Sequence, residues 1–221
     1  MRVLVVRHHA EDGAGFISAA FEARGASLDV VLFPDDGPLP EPSRFDHIVV
    51  LGAISSVNDE HPWISAELEW LRRADESGTP VLGICFGAQA LCAASGGRVE
   101  RAPRREIGWF AVETADVSVI SAGPWLEFHG DRCVLPWRAR VLAWNNLCVQ
   151  AFSIGKHLGV QFHPEVDGEQ LKRWLDAGGE AEIAREGLDS GEFLAATIRE
   201  ESAARLRADR LVASALKLAH P

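Results

Sequence analysis

The sequence contains no long apolar run and no regular pattern of cysteines. No apolar stretch approaches the ~20 residues that a membrane-spanning helix needs, and the apolar residues 3–6 are too few for the core of a signal peptide. The four cysteines are irregularly spaced, which excludes a disulfide framework and a zinc-binding pattern. We therefore expect a protein of the reducing cytoplasm that has no membrane partner.

Positive charge is also in short supply. The 221-residue chain has 32 acidic and 22 basic residues, a formal net charge of −10 and an isoelectric point near 5.3. This balance argues against nucleic acid or an anionic membrane surface as a partner. The length suits one α/β domain with a full core, and the sequence shows no repeat, linker or low-complexity segment. We expect residues 1–221 to form a single domain.

Strand and helix patterns alternate through the first half of the chain. A strand-rich section then extends over residues 97–162. This order predicts an α/β fold, in which helices flank a doubly wound, mostly parallel sheet with an appended antiparallel section. The predicted strands are 2–7, 27–32, 47–51, 81–84, 109–113, 117–120, 140–144, 148–152 and 158–162, and the predicted helices of this part are 15–24, 62–77 and 86–94.

Residues 167–221 are predicted to be a helical C-terminal extension of the same domain. Two short helices, 170–176 and 180–186, precede a long helix that Ser190 caps and that extends to about residue 218. The apolar stripe of the long helix is expected to pack on the chain's own domain rather than on a partner. The residues of that stripe are Phe193, Leu194, Ile198, Leu206, Leu211 and Leu216.

The segment from Gly83 to Gly87 carries the strongest chemical signal. It predicts a buried strand that turns sharply on two glycines into a helix, with the sulfur of Cys85 exposed above the helix N-terminus. The G-x-C-x-G spacing is the thiol counterpart of the G-x-S-x-G nucleophile elbow. The positive end of the helix dipole favours the thiolate, so Cys85 is the candidate nucleophile. The other cysteines are interpreted as inert core residues: Cys92, Cys133 and Cys148.

A candidate base follows further along the chain, at the end of an apolar strand pattern. His163 and Glu165 are two residues apart and can therefore face the same way. Pro164 fixes the backbone between them. In the expected geometry, Glu165 accepts a hydrogen bond from one imidazole nitrogen while the other nitrogen faces Cys85.

Taken together, these segments resemble class I (triad-type) glutamine amidotransferases, in particular free-standing proteins related to the glutaminase domain of GMP synthase. The resemblance covers residues 80–89 and 161–165, and also 51–59, 106–109 and 129–131. It implies a flavodoxin-like glutaminase domain that hydrolyses the side-chain amide of glutamine to glutamate and ammonia through a Cys85 γ-glutamyl thioester. It implies no metal or organic cofactor, and it allows for a separate synthase or acceptor subunit.

The resemblance also implies an oxyanion hole made by the backbone N–H groups of Ala53 and Phe86. In the family the first of these loops reads Gly-Gly-Pro, whereas this chain has Gly52, Ala53 and Ile54. The hole is therefore expected to be intact, shifted, or formed only with substrate or a partner. Loss of one donor typically costs about 10²–10³ in rate, so this departure bears directly on activity.

Substrate-binding groups are placed by the same resemblance. Gln89, Gly52 and the backbone of Gly130 and Asp131 would hold the amino-acid end of glutamine. From the residues alone, Gln89 is equally a polar helix residue that caps a neighbouring loop. His129 and Asp131 also suit a metal site, but no third ligand has suitable spacing, so we predict no metal.

The remaining histidines and tryptophans are given structural roles. His8 and His9 follow the first strand and are expected to be plain loop residues, although they lie near the same edge of the sheet. Tryptophans are expected mainly in the core, where one or two can also line an acceptor pocket. These are Trp109, Trp125, Trp137 and Trp144.

Two other functions stay open at this level. A γ-glutamyl hydrolase or peptidase would use the same triad, with an amino acid or peptide amine as leaving group instead of ammonia. That reaction needs an open pocket on the leaving-group side, to which the loop at Ala53 and Ile54 would contribute. A non-catalytic regulatory or binding module is the third interpretation, and the complete Cys/His/Glu set argues against it.

Overall fold

A mixed eight-stranded sheet flanked by helices forms the body of the fold, and a two-stranded sheet lies beside it. This architecture comes from a computed structural model, which describes residues 1–219. The strands within that range are β1 (Arg2–Arg7), β2 (Ser27–Leu32), β3 (His47–Val50), β4 (Val81–Ile84), β5 (Arg98–Phe110), β6 (Glu113–Thr114), β7 (Trp125–Val134), β8 (Arg140–Trp144), β9 (Val149–Ile154) and β10 (His157–Val160). The α-helices are α1 (Gly15–Glu22), α2 (Pro62–Ser77), α3 (Phe86–Ala94), α4 (Gly168–Trp174), α5 (Glu180–Arg185) and α6 (Ser190–Ala219).

Parallel pairing dominates one side of the large sheet. The strands β2, β1, β3, β4 and β10 are neighbours in that order and run parallel. Strands β9, β8 and β6 continue the sheet with antiparallel pairing, while β5 and β7 form the separate antiparallel pair. The predicted α/β fold, a mostly parallel sheet flanked by helices with an antiparallel section, is therefore confirmed.

The central strands are apolar because helices cover both faces of the sheet. Strands β3 and β4 are buried at every position. On one face Ile17 of α1 and Leu211 of α6 belong to a common core cluster, and on the other Trp70 and Leu71 of α2 belong to a second cluster. With both faces covered, the carboxyl edge of the parallel strands is where such a sheet holds ligands.

Two glycines allow α3 to pack directly against the strands at the Cys85 turn. A Cβ atom on Gly87 would lie 2.2 Å from the carbonyl oxygen of Val50, and one on Gly83 would lie 2.5 Å from the oxygen of Gly87. Neither position has room for a side chain, as the sequence predicts for this turn. The helix therefore begins immediately after Cys85, at Phe86.

The strand predicted at residues 117–120 is wrong, because this segment forms a turn. The backbone oxygen of Asp116 accepts a hydrogen bond from the N–H of Ile120 at 3.0 Å, and its carboxylate accepts from the N–H of Ser118 at 2.9 Å. A short polar side chain that bonds its own neighbours in this way competes with strand pairing. The strand predicted at 109–113 is also displaced, since β5 ends at Phe110.

Strand β7 is absent from the sequence prediction for a different reason. Its polar residues Glu127, His129 and Asp131 are all buried, with exposed fractions of 0%, 3% and 7%. A strand is recognised in a sequence by apolar residues on its buried face, and here carboxylates and an imidazole occupy that face. This unusual strand supplies part of the site described below.

The helical tail follows the prediction in outline and differs in detail. Between α4 and α5 the residues Leu175–Gly179 form a π-helical turn, in which Gly178 has a φ of 116°. Asp189, not Ser190, caps the last helix, because its carboxylate accepts a hydrogen bond from the N–H of Glu192 at 2.8 Å.

None of the helices within residues 1–219 combines the length and the apolar character needed to cross a lipid bilayer.

The apolar stripe predicted for α6 is confirmed in part, because Phe193 is buried and Leu194 and Leu216 pack against core clusters. Leu211 is buried as expected, but Ile198 and Leu206 are 56% and 63% exposed. Next to Leu211 the buried face also includes small residues, and here α6 contacts α1. The core residues contributed by this part of α6 are Ala208, Leu211, Val212 and Ala215.

The two leucines of α6 provide a test of how the tail is held. We expect Leu211→Ala to lower the free energy of unfolding by about 2–5 kcal/mol, because it leaves a cavity between the helix and the sheet. The matched change Leu206→Ala, on the same helix but exposed, should change it little. Chemical denaturation of both variants measures this difference, and equal losses would contradict the packing described.

Candidate active site

Cys85 occupies a strained turn between β4 and α3. Its φ is 51° and its ψ is −107°. It is the one non-glycine residue with a positive φ in the described range 1–219. The conformation is held by the N–H of Cys85, which donates to the oxygen of Val160 in β10 at 2.8 Å. Strain of this kind persists where surrounding structure enforces it, and it is typical of functional sites.

His163 and Glu165 follow the end of β10 and form a buried ion pair. Nδ1 of His163 lies 2.7 Å from Oε1 of Glu165, and their side chains are 5% and 1% exposed. The N–H of His163 donates to the oxygen of Leu126 at 2.8 Å, which fixes the segment to β7. Burial opposes a charge on His163, but Glu165 and Cys85 outweigh it and raise the pKa of His163 well above its usual value.

The thiol and the imidazole meet beside Gly52, in the loop after β3. A Cβ atom on Gly52 would lie 3.1 Å from Cε1 of His163 and 3.7 Å from Cβ of Cys85. The hydrogen bond and the charge of Cys85 are also among the contributions that raise the pKa of His163. Three segments that are distant in sequence thus converge at one edge of the sheet.

The first residues of α1 contact the backbone of Glu165. The N–H of Phe16 donates to the backbone oxygen of Glu165 at 3.1 Å. Gly15 has a φ of 31°, and a Cβ atom there would lie only 2.0 Å from the same oxygen. Sequence reasoning missed this contact, although a glycine at the first position of a helix, where it weakens the helix, was an available signal.

A cavity of about 470 Å³ opens in front of Cys85 and His163. Its size is within the usual range for small-molecule sites, roughly 300–1,000 Å³. The predicted site residues that line it are Gly52, Ala53, Cys85, Gln89, Gly130, Asp131 and His163. The outer wall is formed by Ile54, Arg101, Arg105, Phe128, Trp174, Glu182 and Arg185.

Gln89 and Asp131 are held in place by their own hydrogen bonds. The side-chain nitrogen of Gln89 donates to Oε1 of Gln161 at 3.2 Å and to the backbone oxygen of Asp131 at 3.4 Å. The carboxylate of Asp131 accepts from the hydroxyl of Ser56 at 2.6 Å and pairs with Arg101 at 3.4 Å. Both residues therefore present fixed polar groups to the cavity.

A buried cluster of one imidazole and two carboxylates lies next to the cavity, and its His129 is among the lining residues. Nε2 of His129 lies 3.2 Å from both Glu106 and Glu127, and its Nδ1 donates to the oxygen of Asp131 at 3.0 Å. Burial opposes the charge, but the two carboxylates raise the pKa of His129 to about 10. Burial raises the pKa of Glu127 to about 7, against the attraction of His129. The imidazolium therefore balances the buried negative charge.

The structure brings a different set of possible metal ligands together around His129, and this set does not include the Asp131 considered from the sequence. Ligand atoms of Glu106, His129 and Cys148 lie within 4.8 Å of one another. The carboxylate of Glu106 is already occupied by the amides of Asn145 and Gln150, at 2.6 and 2.8 Å. Burial also raises the pKa of the Cys148 thiol, which disfavours the thiolate that a metal requires. The donor set fits an imidazolium–carboxylate network better than a metal centre.

Two residues, His8 and Trp137, depart from their expected roles, and Trp174 has a role that the sequence did not predict. His8 is not a plain loop residue, because its side chain is 3% exposed and pairs with the buried Glu67 of α2. Trp137 is 96% exposed instead of buried in the core. Trp174 packs edge-on against His163 with ring centroids 5.0 Å apart, and its indole N–H donates to Asp12 at 2.9 Å.

Comparison with known proteins agrees with the family resemblance found in the sequence. The sequence model of the family described as Glutamine amidotransferase class-I matches residues 15–177. Over 185 residues the chain is 30% identical to γ-glutamyl-L-1-hydroxyisopropylamide hydrolase of a Pseudomonas species, covering 74% of this chain and 61% of that protein. Over 99 residues it is 46% identical to the glutamine-hydrolysing GMP synthase of Thermomicrobium roseum, covering 41% of this chain and 19% of that protein. The chain thus spans less than two thirds of either relative.

A solved structure extends the likeness to the whole fold. A glutamine amidotransferase from Thermotoga maritima superimposes with a TM-score of 0.89 at 27% identity, covering 100% of this chain and 99% of the other. The family match over residues 15–177 includes the Cys85 turn and the segment with His163 and Glu165. On this evidence the chain belongs to the class I glutamine amidotransferase family.

Proposed function

We propose that the protein hydrolyses the side-chain amide of glutamine to glutamate and ammonia. The observation that carries this proposal is the buried His163–Glu165 ion pair beside the strained Cys85 turn, at the floor of a cavity of about 470 Å³. In this proposal Cys85 is the nucleophile, His163 transfers protons, and Glu165 orients the imidazole and stabilises its charged form.

The reaction proceeds through a γ-glutamyl thioester. The thiolate of Cys85 attacks the amide carbon, and the electron pair of the C=O bond moves to oxygen, which the N–H groups of Ala53 and Phe86 face. His163 gives its proton to the departing nitrogen as the C–N bond breaks and ammonia leaves. His163 then takes a proton from water, whose oxygen attacks the thioester and returns the sulfur of Cys85.

The amino-acid end of the substrate is proposed to lie against Gln89 and Gly52 and the backbone of Gly130 and Asp131. These residues line the cavity, and their positions are fixed by the hydrogen bonds described above. Fixed polar groups of this kind orient a substrate at small entropic cost.

We further propose that residues 1–221 act as one glutaminase domain of the reducing cytoplasm, where the Cys85 thiol is preserved. The ammonia would pass to a separate synthase or acceptor subunit. The GMP synthase of Thermomicrobium roseum, named as glutamine-hydrolysing, supports this arrangement by its 46% identity over 99 residues. No step of the proposed reaction uses a metal or an organic cofactor.

Hydrolysis of γ-glutamyl amides larger than glutamine is the second candidate. The cavity continues past the triad to Glu182 and Arg185, so a leaving group larger than ammonia has space. Ile54 lines this region and is 82% exposed, which offers an apolar surface to such a group. The Pseudomonas relative, whose name specifies a γ-glutamyl amide, supports the same reaction class.

Labelling of the nucleophile tests the first proposal. We expect the glutamine analogue 6-diazo-5-oxo-L-norleucine to label the wild-type protein once, at Cys85, and to leave Cys85→Ala unlabelled. Ammonia release from glutamine should disappear in the same variant. Mass spectrometry identifies the labelled residue, and Cys148→Ser, which removes a less buried thiol than Cys85, serves as control and should label normally. Absence of both labelling and turnover in the wild type would contradict the proposal.

Substitution of Glu165 tests the orienting role. Glu165→Gln keeps the shape but removes the charge that holds His163 in its tautomer, so we expect kcat to fall by about 10²–10⁴. The neighbouring Glu169→Gln, an exposed change in α4, should leave kcat at the wild-type level. Steady-state kinetics with the preferred substrate measures both, and similar rates for the two variants would count against the triad.

The leaving-group contact can be tested at Ile54. If a larger amine occupies the outer cavity, Ile54→Ser should lower kcat/KM for γ-glutamyl-leucine by roughly 3- to 10-fold through lost apolar contact. Glutamine, whose leaving group is ammonia, serves as the internal control and should be affected much less. Equal effects on both substrates would remove Ile54 from the leaving-group site.

A further inference from the structure

A buried histidine links the loop after β3 to helix α2. His8 follows β1, and its Nδ1 lies 2.9 Å from the backbone oxygen of Gly52. Its Nε2 lies 3.0 and 3.1 Å from the two carboxylate oxygens of Glu67. The side chains of His8 and Glu67 are 3% and 0% exposed, so water does not compete for these bonds.

Both ring nitrogens of His8 therefore face acceptors. An imidazole can donate from both nitrogens only when it is positively charged. The rings of Trp63 and Phe86 pack against His8, with centroids 5.3 and 4.9 Å away, and exclude solvent. Burial alone would lower the pKa of His8, but Glu67, the Gly52 carbonyl and Asp12 together raise it. The two facing acceptors and this raised pKa both favour the charged form.

The hydrogen bond from His8 to the oxygen of Gly52 fixes the direction of the N–H of Ala53. The cis peptide bonds within residues 1–219 are Phe33–Pro34 and Gly123–Pro124, so the bond between Gly52 and Ala53 is trans. In a trans peptide the C=O and N–H point in opposite directions. Because the oxygen of Gly52 is turned towards His8, the N–H of Ala53 is turned away from it.

The peptide between Gly52 and Ala53 lies beside the cavity. Gly52 lies next to Cys85 and His163, and Gly52 and Ala53 both line the cavity. Ala53 does not have a positive φ, because Cys85 is the one described non-glycine residue that does. The opposite orientation of the peptide would turn the carbonyl oxygen away from His8 and leave its charge without that acceptor.

We propose that His8, held by Glu67, is a positioning residue that keeps the Ala53 N–H directed into the cavity as an oxyanion donor. This inference rests on the proposed acyl-transfer reaction. In the Gly-Gly-Pro loop of the family, proline stiffens the backbone, and here Ile54 stands in its place. We call His8 and Glu67 together the clamp. It supplies the rigidity that the loop sequence lacks.

The clamp depends on the proton of His8. When His8 loses its charge, one N–H remains, and the charge-assisted bond to Glu67 retains it on Nε2. Nδ1 then presents a lone pair to the carbonyl oxygen of Gly52, which repels it. Because the pKa of His8 is raised, the clamp holds below that pKa and is released as the pH rises through it. Glu67 on α2 and Asp12 after β1 are the charged groups that act on His8.

The test compares chemistry that needs an oxyanion donor with chemistry that does not. We expect His8→Ala to lower kcat for glutamine, or for the γ-glutamyl amide that the wild type prefers, by about 10²–10³ with little change in KM. The inhibition constant of glutamate γ-semialdehyde, which forms a thiohemiacetal with Cys85, should rise by a similar factor. Alkylation of Cys85 by iodoacetamide should be unchanged, because it forms no oxyanion.

Conservative variants separate the clamp from general damage to the fold. His8→Gln can donate one neutral N–H to Gly52 and should recover part of kcat. Glu67→Gln should move the alkaline fall of kcat to lower pH, since the pKa of His8 drops with the loss of the carboxylate. His157→Gln is the control, because it breaks the pair of another buried imidazole with a carboxylate, the partly exposed Asp75 at 3.0 Å. It should lower stability and leave kcat and the semialdehyde inhibition constant unchanged.

The outcomes distinguish this inference from the function on which it rests. An active wild type together with a His8→Ala protein of unchanged kcat and unchanged semialdehyde inhibition overturns the clamp and leaves the function intact. A wild type that is neither labelled at Cys85 nor active on any γ-glutamyl amide overturns both. Parallel loss of kcat and semialdehyde binding, with normal alkylation, supports the clamp.

Discussion

The site depends on the parallel pairing of β10 with β4. Val160 lies opposite Ile84 in this register, and the N–H of Cys85 donates to the oxygen of Val160 at 2.8 Å. The two strands carry the thiol and the imidazole to the same edge, although their segments are far apart in sequence. A shift of one residue in this pairing would reverse the side-chain directions and separate the two groups. Sheet register therefore fixes the geometry of the candidate site.

Near this edge of the sheet three buried imidazoles are each paired with one or two carboxylates. His163 pairs with Glu165, His129 with Glu106 and Glu127, and His8 with Glu67. Removing ionised groups from water is unfavourable, and pairing with hydrogen bonds offsets that penalty only in part. Such an arrangement is poor as a source of stability, but it holds charges and backbone groups in fixed directions. That rigidity is what electrostatic stabilisation of a transition state requires.

Local signals in the sequence were sufficient for the centre of the site. The Cys85 turn is encoded within a few residues, because two glycines and an apolar strand determine it. The parts that sequence reasoning missed depend on contacts between distant segments. His8 reaches Glu67 across 59 positions, and the N–H of Phe16 reaches the carbonyl of Glu165 in another part of the chain. Polar residues buried on a strand, such as Glu127, also resemble exposed ones until the fold shows what they face.

The contact between α1 and Glu165 ties the first helix to the last residue of the proposed triad. Cys85 and its turn leave the ribosome well before β10 and the segment that carries His163. During synthesis the sulfur therefore emerges without its imidazole partner, and the pair assembles only when the nascent chain has extended beyond Glu165 and can dock on Gly15 and Phe16. The proposed reactivity of Cys85 is in this way deferred until the segment of Glu165 has docked on α1.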